Sequence, residues 1–167
     1  MIISIEDWIF DVDMAATMEY SAREAAEHCD CGYCRNFYSA VDEAYPQLRP
    51  FLAQFGLDIE APDELLPYDI DKQLYYDGFY AVSGKILCTG KNPIRIGNSR
   101  IEPDLFNDLY FNTGCPQPYF FLNMGNVILP WVLDEPMEDV ISPANEPSFL
   151  KKMWNRLLGR TSEGISS

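Results

Sequence analysis

Three of the five cysteines and the only histidine fall within seven residues, His28-Cys29-Asp30-Cys31-Gly32-Tyr33-Cys34. Coordinating or redox-capable side chains are concentrated nowhere else in the chain. Thiolates at Cys-x-Cys-x-x-Cys spacing converge on one soft ion once the backbone turns between them, and Gly32 gives that turn its freedom. Cys29, Cys31 and Cys34 are therefore candidate ligands for structural zinc. A closed site needs a fourth ligand. His28 is adjacent in sequence, Cys115 sits beside Pro116 in a turn, and Cys88 ends a predicted strand. The second Cys-x-x-Cys pair of a zinc ribbon or finger is missing. An alternative needs no metal, because free cysteines are among the most buried residue types and pack as small hydrophobes. Spacings of two and three cannot place all three on one face of one helix, so on that reading they line a turn.

Cys31-Gly32-Tyr33-Cys34 opens a predicted helix, and those four residues resemble the Cys-x-x-Cys active site of thioredoxin-like proteins. The resemblance implies a thiol–disulfide oxidoreductase. Cys31 would be its nucleophile, with the thiolate stabilised by the helix N-terminus, and Cys34 its resolving thiol. That family sets the motif directly after a buried strand, whereas residues 22–28 here read as helix. Pro118 would stand for the family's later proline before a strand.

Other constellations are less specific. Asp11 and Asp13 alternate along a predicted strand and so share one face, where they could bind a divalent cation or act as paired carboxylates; an ordinary solvent face explains them as well. Asp134-Glu135 follows a strand without further context. There is no Gly-x-Ser-x-Gly, and Gly90-Lys91 lacks the glycine-rich turn that cradles phosphate. Hydrolase, kinase and dinucleotide-dependent chemistry thus lack their local signatures.

The elements that must position the cysteines follow from periodicity. Trp8, Phe10 and Val12 form the apolar face of a strand. Ser21 and Glu24 make a capping box, predicting a helix that starts near Tyr20, carries a small-residue face of Ala22, Ala25 and Ala26, and stops near His28. A second helix is predicted over residues 33–44, capped by Asp30, with Phe37, Val41, Ala44 and Leu48 on one side. Pro50 then permits only a short or kinked helix before Gly56. Residues 57–73 read as a surface connection. Beyond them, Leu74–Cys88 reads as one long strand or two joined by a bulge, and Gly97-Asn98 marks a turn next to a short strand in residues 94–101. Leu105–Asn112, Tyr119–Met124 and Asn126–Leu133 complete a predicted antiparallel sheet. Tyr75, Tyr76, Phe79 and Tyr80 belong to its core or line a groove. Residues 134–147 are loop, Phe149–Leu158 is an amphipathic basic helix, and 160–167 are a tail.

The fold expected is α+β, a single domain over residues 1–159, with N-terminal helices and the C-terminal helix packed on a mostly antiparallel sheet. Net charge is −14, and residues 1–80 carry 17 acidic against 4 basic side chains. Such a field repels phosphate backbones and anionic lipid, which argues against nucleic acid and membrane and favours a basic protein surface as partner. No basic region precedes an apolar one at the N-terminus, so a cytoplasmic protein with mostly reduced cysteines is expected. The reading is a non-catalytic protein-interaction domain with a cysteine-rich corner; the enzyme alternative is the oxidoreductase using Cys31 and Cys34.

Overall fold

The computed structural model describes residues 1–105 and 113–137. In chain order these form β1 (Ile2–Ile5), β2 (Trp8–Val12), α1 (Met14–Ala26), α2 (Gly32–Ala44), α3 (Leu48–Ala53), β3 (Glu64–Ile70), β4 (Gln73–Cys88), β5 (Ile94–Ile96), β6 (Ser99–Asp104) and β7 (Tyr119–Leu129). The architecture is α+β, with seven strands in one sheet of order β1-β2-β4-β7-β6-β5 and β3 added to β4. Every pairing is antiparallel. The predicted C-terminal helix and tail, and all of the predicted strand Leu105–Asn112 except Leu105, lie outside the described residues.

The sheet is built on β4, sixteen residues that pair with β7 along one edge. The other edge is shared. β3 pairs with residues 73–79, and β2 pairs with residues 84–88. Between them Ala81 and Ser83 have no strand partner on this edge, yet both are buried, so their N–H groups need acceptors. Side chains supply them. The Ala81 N–H donates to the Asp63 carboxylate at 2.7 Å, and the Ser83 N–H donates to the Thr17 hydroxyl at 3.1 Å. Thr17 in turn donates to the Asp13 carbonyl at 2.9 Å, and Tyr20 donates its hydroxyl to Asp63. Helix α1 is thereby fixed along the gap. Gly84 stands where β2 takes over, with φ +146°; a Cβ there would lie 2.2 Å from the Asp11 carbonyl oxygen.

One face of this sheet is closed by α2, α3 and the chain after them. Phe37 and Val41 of α2, Leu48 and Leu52 of α3, and Phe55 and Ile59 beyond it are all fully buried against Phe10, Tyr76, Tyr80, Val82, Phe120 and Leu122. Phe10 stacks on Phe120 at 5.3 Å and meets Phe55 edge-on at 5.2 Å, the offset and T-shaped contacts aromatic rings prefer. Tyr76, Phe79 and Tyr80 are therefore core, while Tyr75 lies half-buried, stacked on Tyr68.

Several expected boundaries move. Helix α1 begins at Met14 and is capped by Asp13, whose carboxylate accepts the Ala16 N–H at 3.1 Å, eight residues before the predicted cap Ser21. Ser21 is consequently mid-helix and buried, and its hydroxyl accepts the Asp58 N–H at 2.8 Å. The alanine face points outward, with Ala22 and Ala26 exposed. Ala44 is exposed as well, and Ala40 takes its place in the core. Residues 57–73 are not a surface connection: Leu57, Ile59 and Ala61 are buried and β3 follows them. The two strands predicted between Tyr119 and Leu133 are one, β7, which continues through Asn126 at φ +61° and ends before Pro130.

Candidate metal centre at the start of the second helix

The corner between α1 and α2 brings Cys29, Cys31 and Cys34 together, with their sulfur atoms all within 4.8 Å of one another. Tetrahedral zinc at about 2.3 Å from each thiolate places sulfurs roughly 3.8 Å apart, so the triad closes on an ion with a small contraction. Two of these candidate ligands come from the turn and one from the first turn of the helix. Cys31 is the N-cap residue of α2, and no side chain caps the helix there, Asp30 included. Cys34 is 5% exposed and forms the inner wall, whereas Cys29 and Cys31 are exposed.

The three thiols are electrostatically unequal. Burial pushes Cys31 up, but this is outweighed by the Cys34 backbone N–H, the Cys29 and Cys34 thiols and the Tyr33 N–H, all hydrogen-bonded to its sulfur. The net shift is below the ordinary thiol value. Cys34 moves the other way: burial raises it most, and the neighbouring Cys31 and Cys29 sulfurs add to the rise. The helix N-terminus thus favours negative charge on Cys31 while Cys34 holds its proton.

The inner side of the corner is anchored by α2. Asn36, fully buried, donates to the Tyr76 hydroxyl at 3.1 Å and to the Pro130 carbonyl at 3.1 Å. Tyr76 donates onward to the Tyr33 carbonyl at 3.1 Å. On the outer side Trp131 meets Tyr33 edge-on at 5.5 Å and donates its indole N–H to the Glu135 carbonyl at 2.7 Å. Arg35 bonds both the Glu135 carboxylate and the Asp30 carbonyl. Arg35, Asn36 and Trp131 were not among the residues picked out by type and spacing, and Glu135 was noted only as an unspecific acidic residue after a strand. Arg35 and Asn36 adjoin Cys34 in sequence, but what they hold lies about a hundred residues away. The pattern Trp131-x-x-x-Glu135 carries no local signal.

The other predicted residues sit elsewhere. His28 is exposed, with Nδ1 2.7 Å from the Ala25 carbonyl oxygen and its ring edge-on to Tyr38, and it is not part of the sulfur cluster. Cys115 lies buried with Tyr20, Ala81 and Phe121 in a separate small cluster. Cys88 ends β4 opposite Ile9, exposed. Asp11 and Asp13 do not act as a pair: Asp13 caps α1, and Asp11 faces the N-terminal ammonium at 3.3 Å. Pro118 precedes β7 and Trp131 follows it, so the strand's eleven residues, about 35 Å of extended chain, separate the compared proline from the cysteine corner. A groove of about 410 Å³ lies beside α1, lined by Met14, Met18, Ala22, Ala53 and Leu57, and its charged groups Arg49 and Asp58 already pair at 3.4 Å.

Comparison with known protein families, with curated proteins and with solved structures finds no match. Among the described residues, no helix is long and apolar enough to cross a membrane.

Proposed function

We propose that the chain is a non-catalytic protein-interaction domain whose Cys29–Cys31–Cys34 corner holds a zinc ion. The convergence of three sulfurs within 4.8 Å carries the reading, since separately buried cysteines have no need to meet. Zinc at this corner would fix the reversal of direction between α1 and α2, a job that would otherwise fall to the exposed backbone of residues 27–31. The partner is a basic protein surface, favoured by 17 acidic against 4 basic side chains in residues 1–80. Metal analysis of protein purified without chelator tests the reading, with about one zinc per chain expected. Protein that is free of metal and fails to take up added zinc would end it.

A second reading rests on a different observation. An exposed Cys31 shifted down and a buried Cys34 shifted up, at a helix start, suit nucleophile and resolving thiol in disulfide exchange. On that reading, metal-free protein alkylates at Cys31 well before Cys88 near neutral pH. Equal rates at the two would remove it.

A further inference from the structure

We infer that the metal at this corner takes its fourth ligand from outside the chain, and that this ligand is a thiol. The inference rests on the metal reading above and extends it to a ligand class. The chain has five cysteines and one histidine, so three side chains remain as further thiol or imidazole donors. Each is placed elsewhere. Cys88 is cross-strand from Ile9 at the end of β4, Cys115 is buried with Tyr20 and Phe121, and His28 stands outside the sulfur cluster. Among the described residues, the carboxylates tied to the corner through Arg35 are Asp30, 3.7 Å from the guanidinium, and Glu135, bonded to it directly. Neither joins the three sulfurs as a fourth donor atom.

The cluster also has a direction. Cys34 closes it from within, and Cys29 and Cys31 stand at the surface, so among the described residues the remaining side of an ion held by all three is open. Three protein ligands with one position open is the arrangement of a zinc site that exchanges a ligand, unlike the closed four-ligand arrangement of a structural one. Thiolates are among the ligands that suit zinc best, and a thiol that coordinates zinc is deprotonated outright. In that step the sulfur–metal bond forms, the S–H bond breaks and the proton passes to solvent, with no electron transferred. A small cellular thiol and a cysteine of a partner protein share this chemistry. The second would make the corner a docking point, with the ion completed only when the partner is bound.

Cobalt substitution tests the inference on the full, reduced chain. Cobalt alone should give sulfur-to-metal charge-transfer absorption of a three-thiolate site. Adding 2-mercaptoethanol should raise it by about one third, saturably, as three thiolates become four. The same rise with a cysteine-containing peptide but not with 2-mercaptoethanol would also support the inference and assign the thiol to a protein partner. Absorption unchanged by either thiol would overturn it, and so would a four-thiolate spectrum before any thiol is added, which would mean that the chain or a second copy completes the site. Failure to bind cobalt at all would overturn the metal reading and the inference together.

Discussion

Asn36 accepts the Val132 backbone N–H on its side-chain oxygen at 2.7 Å, joining α2 to the chain that leaves β7. Its amide nitrogen is spent on Tyr76 and Pro130, so the side chain is used on both ends. Asn36 lies two residues beyond Cys34, and these bonds hold the inner wall of the cysteine corner against the sheet. A buried amide satisfied in this way specifies position as well as adding stability, because no shifted packing would reproduce all three bonds.

Replacing Asn36 with Leu keeps the volume and removes every bond. The Pro130 carbonyl, the Val132 N–H and the Tyr76 hydroxyl then lose a partner at once. We expect Asn36→Leu to lose about 2–4 kcal/mol of unfolding free energy, measured by urea denaturation. A loss below about 0.5 kcal/mol would show that water serves these groups equally well.

Thr17 closes the gap in the β4 edge by accepting from Ser83 and donating to Asp13. Thr17→Val is nearly isosteric but leaves the buried Ser83 N–H without its acceptor, and should cost about 1–3 kcal/mol. Thr17→Ser keeps the hydroxyl and should recover most of that. No loss in Thr17→Val would show that the hydrogen bond is dispensable, and a loss in Thr17→Ser as large as that in Thr17→Val would show that the methyl contact matters as much as the hydrogen bond.

These two residues also show where sequence reading reaches its limit. Strand alternation at Trp8, Phe10 and Val12 was legible because burial follows a period of two, and all three are buried. The length of β4, the turn at Gly97 and the extent of α2 were legible for similar local reasons. The start of α1 was not. Ser21 and Glu24 form a sound capping box in isolation, but a helix capped by Asp13 lets Thr17 reach the bare edge of β4, a gain that only the tertiary fold reveals. The burial of Leu57, Ile59 and Ala61 was hidden among acidic neighbours and prolines. At the corner, spacing alone brought out Cys29, Cys31 and Cys34. The placement of His28 and Cys115 away from them depends on contacts with Tyr38 and Phe121 that no local pattern encodes.

Asp77 gives a pH signature. It sits at the β4 bulge opposite β7, 2% exposed, accepting from the Asn126 N–H at 3.0 Å and the Tyr68 hydroxyl at 3.2 Å. Burial pushes its pKa up to about 6; these two bonds and Arg100 pull it partly back. A carboxyl raised in the folded state binds its proton more readily than in the unfolded chain, so the stability that this proton confers is lost as pH rises from about 4 to about 6. Lowering pH from 7 to 4.5 should therefore stabilise the wild type relative to Asp77→Asn, by about 2 kcal/mol. Asp63, also raised by burial, is present in both proteins and drops out of the difference. Parallel curves of thermal midpoint against pH would rule out a buried, titrating Asp77.

Metal removal separates the cysteines by role. An ion bound only by the folded state adds roughly 4 kcal/mol when it is present at a thousand times its dissociation constant. A strong chelator should accordingly lower the unfolding midpoint of the wild type. Loss of one ligand of three weakens binding on the order of a hundredfold or more, so Cys29→Ser, Cys31→Ser and Cys34→Ser should each become nearly indifferent to chelator. Cys88→Ser is exposed at the end of β4 and should respond like the wild type. Cys115→Ala is informative in another way: its thiol is 4% exposed, so the variant should be less stable from the start yet remain chelator-sensitive. Chelator sensitivity that persists in Cys34→Ser would place the ion elsewhere, because Cys34 is the inner sulfur of the proposed site, held in α2 two residues before Asn36, and the other two sulfurs alone offer no enclosed site.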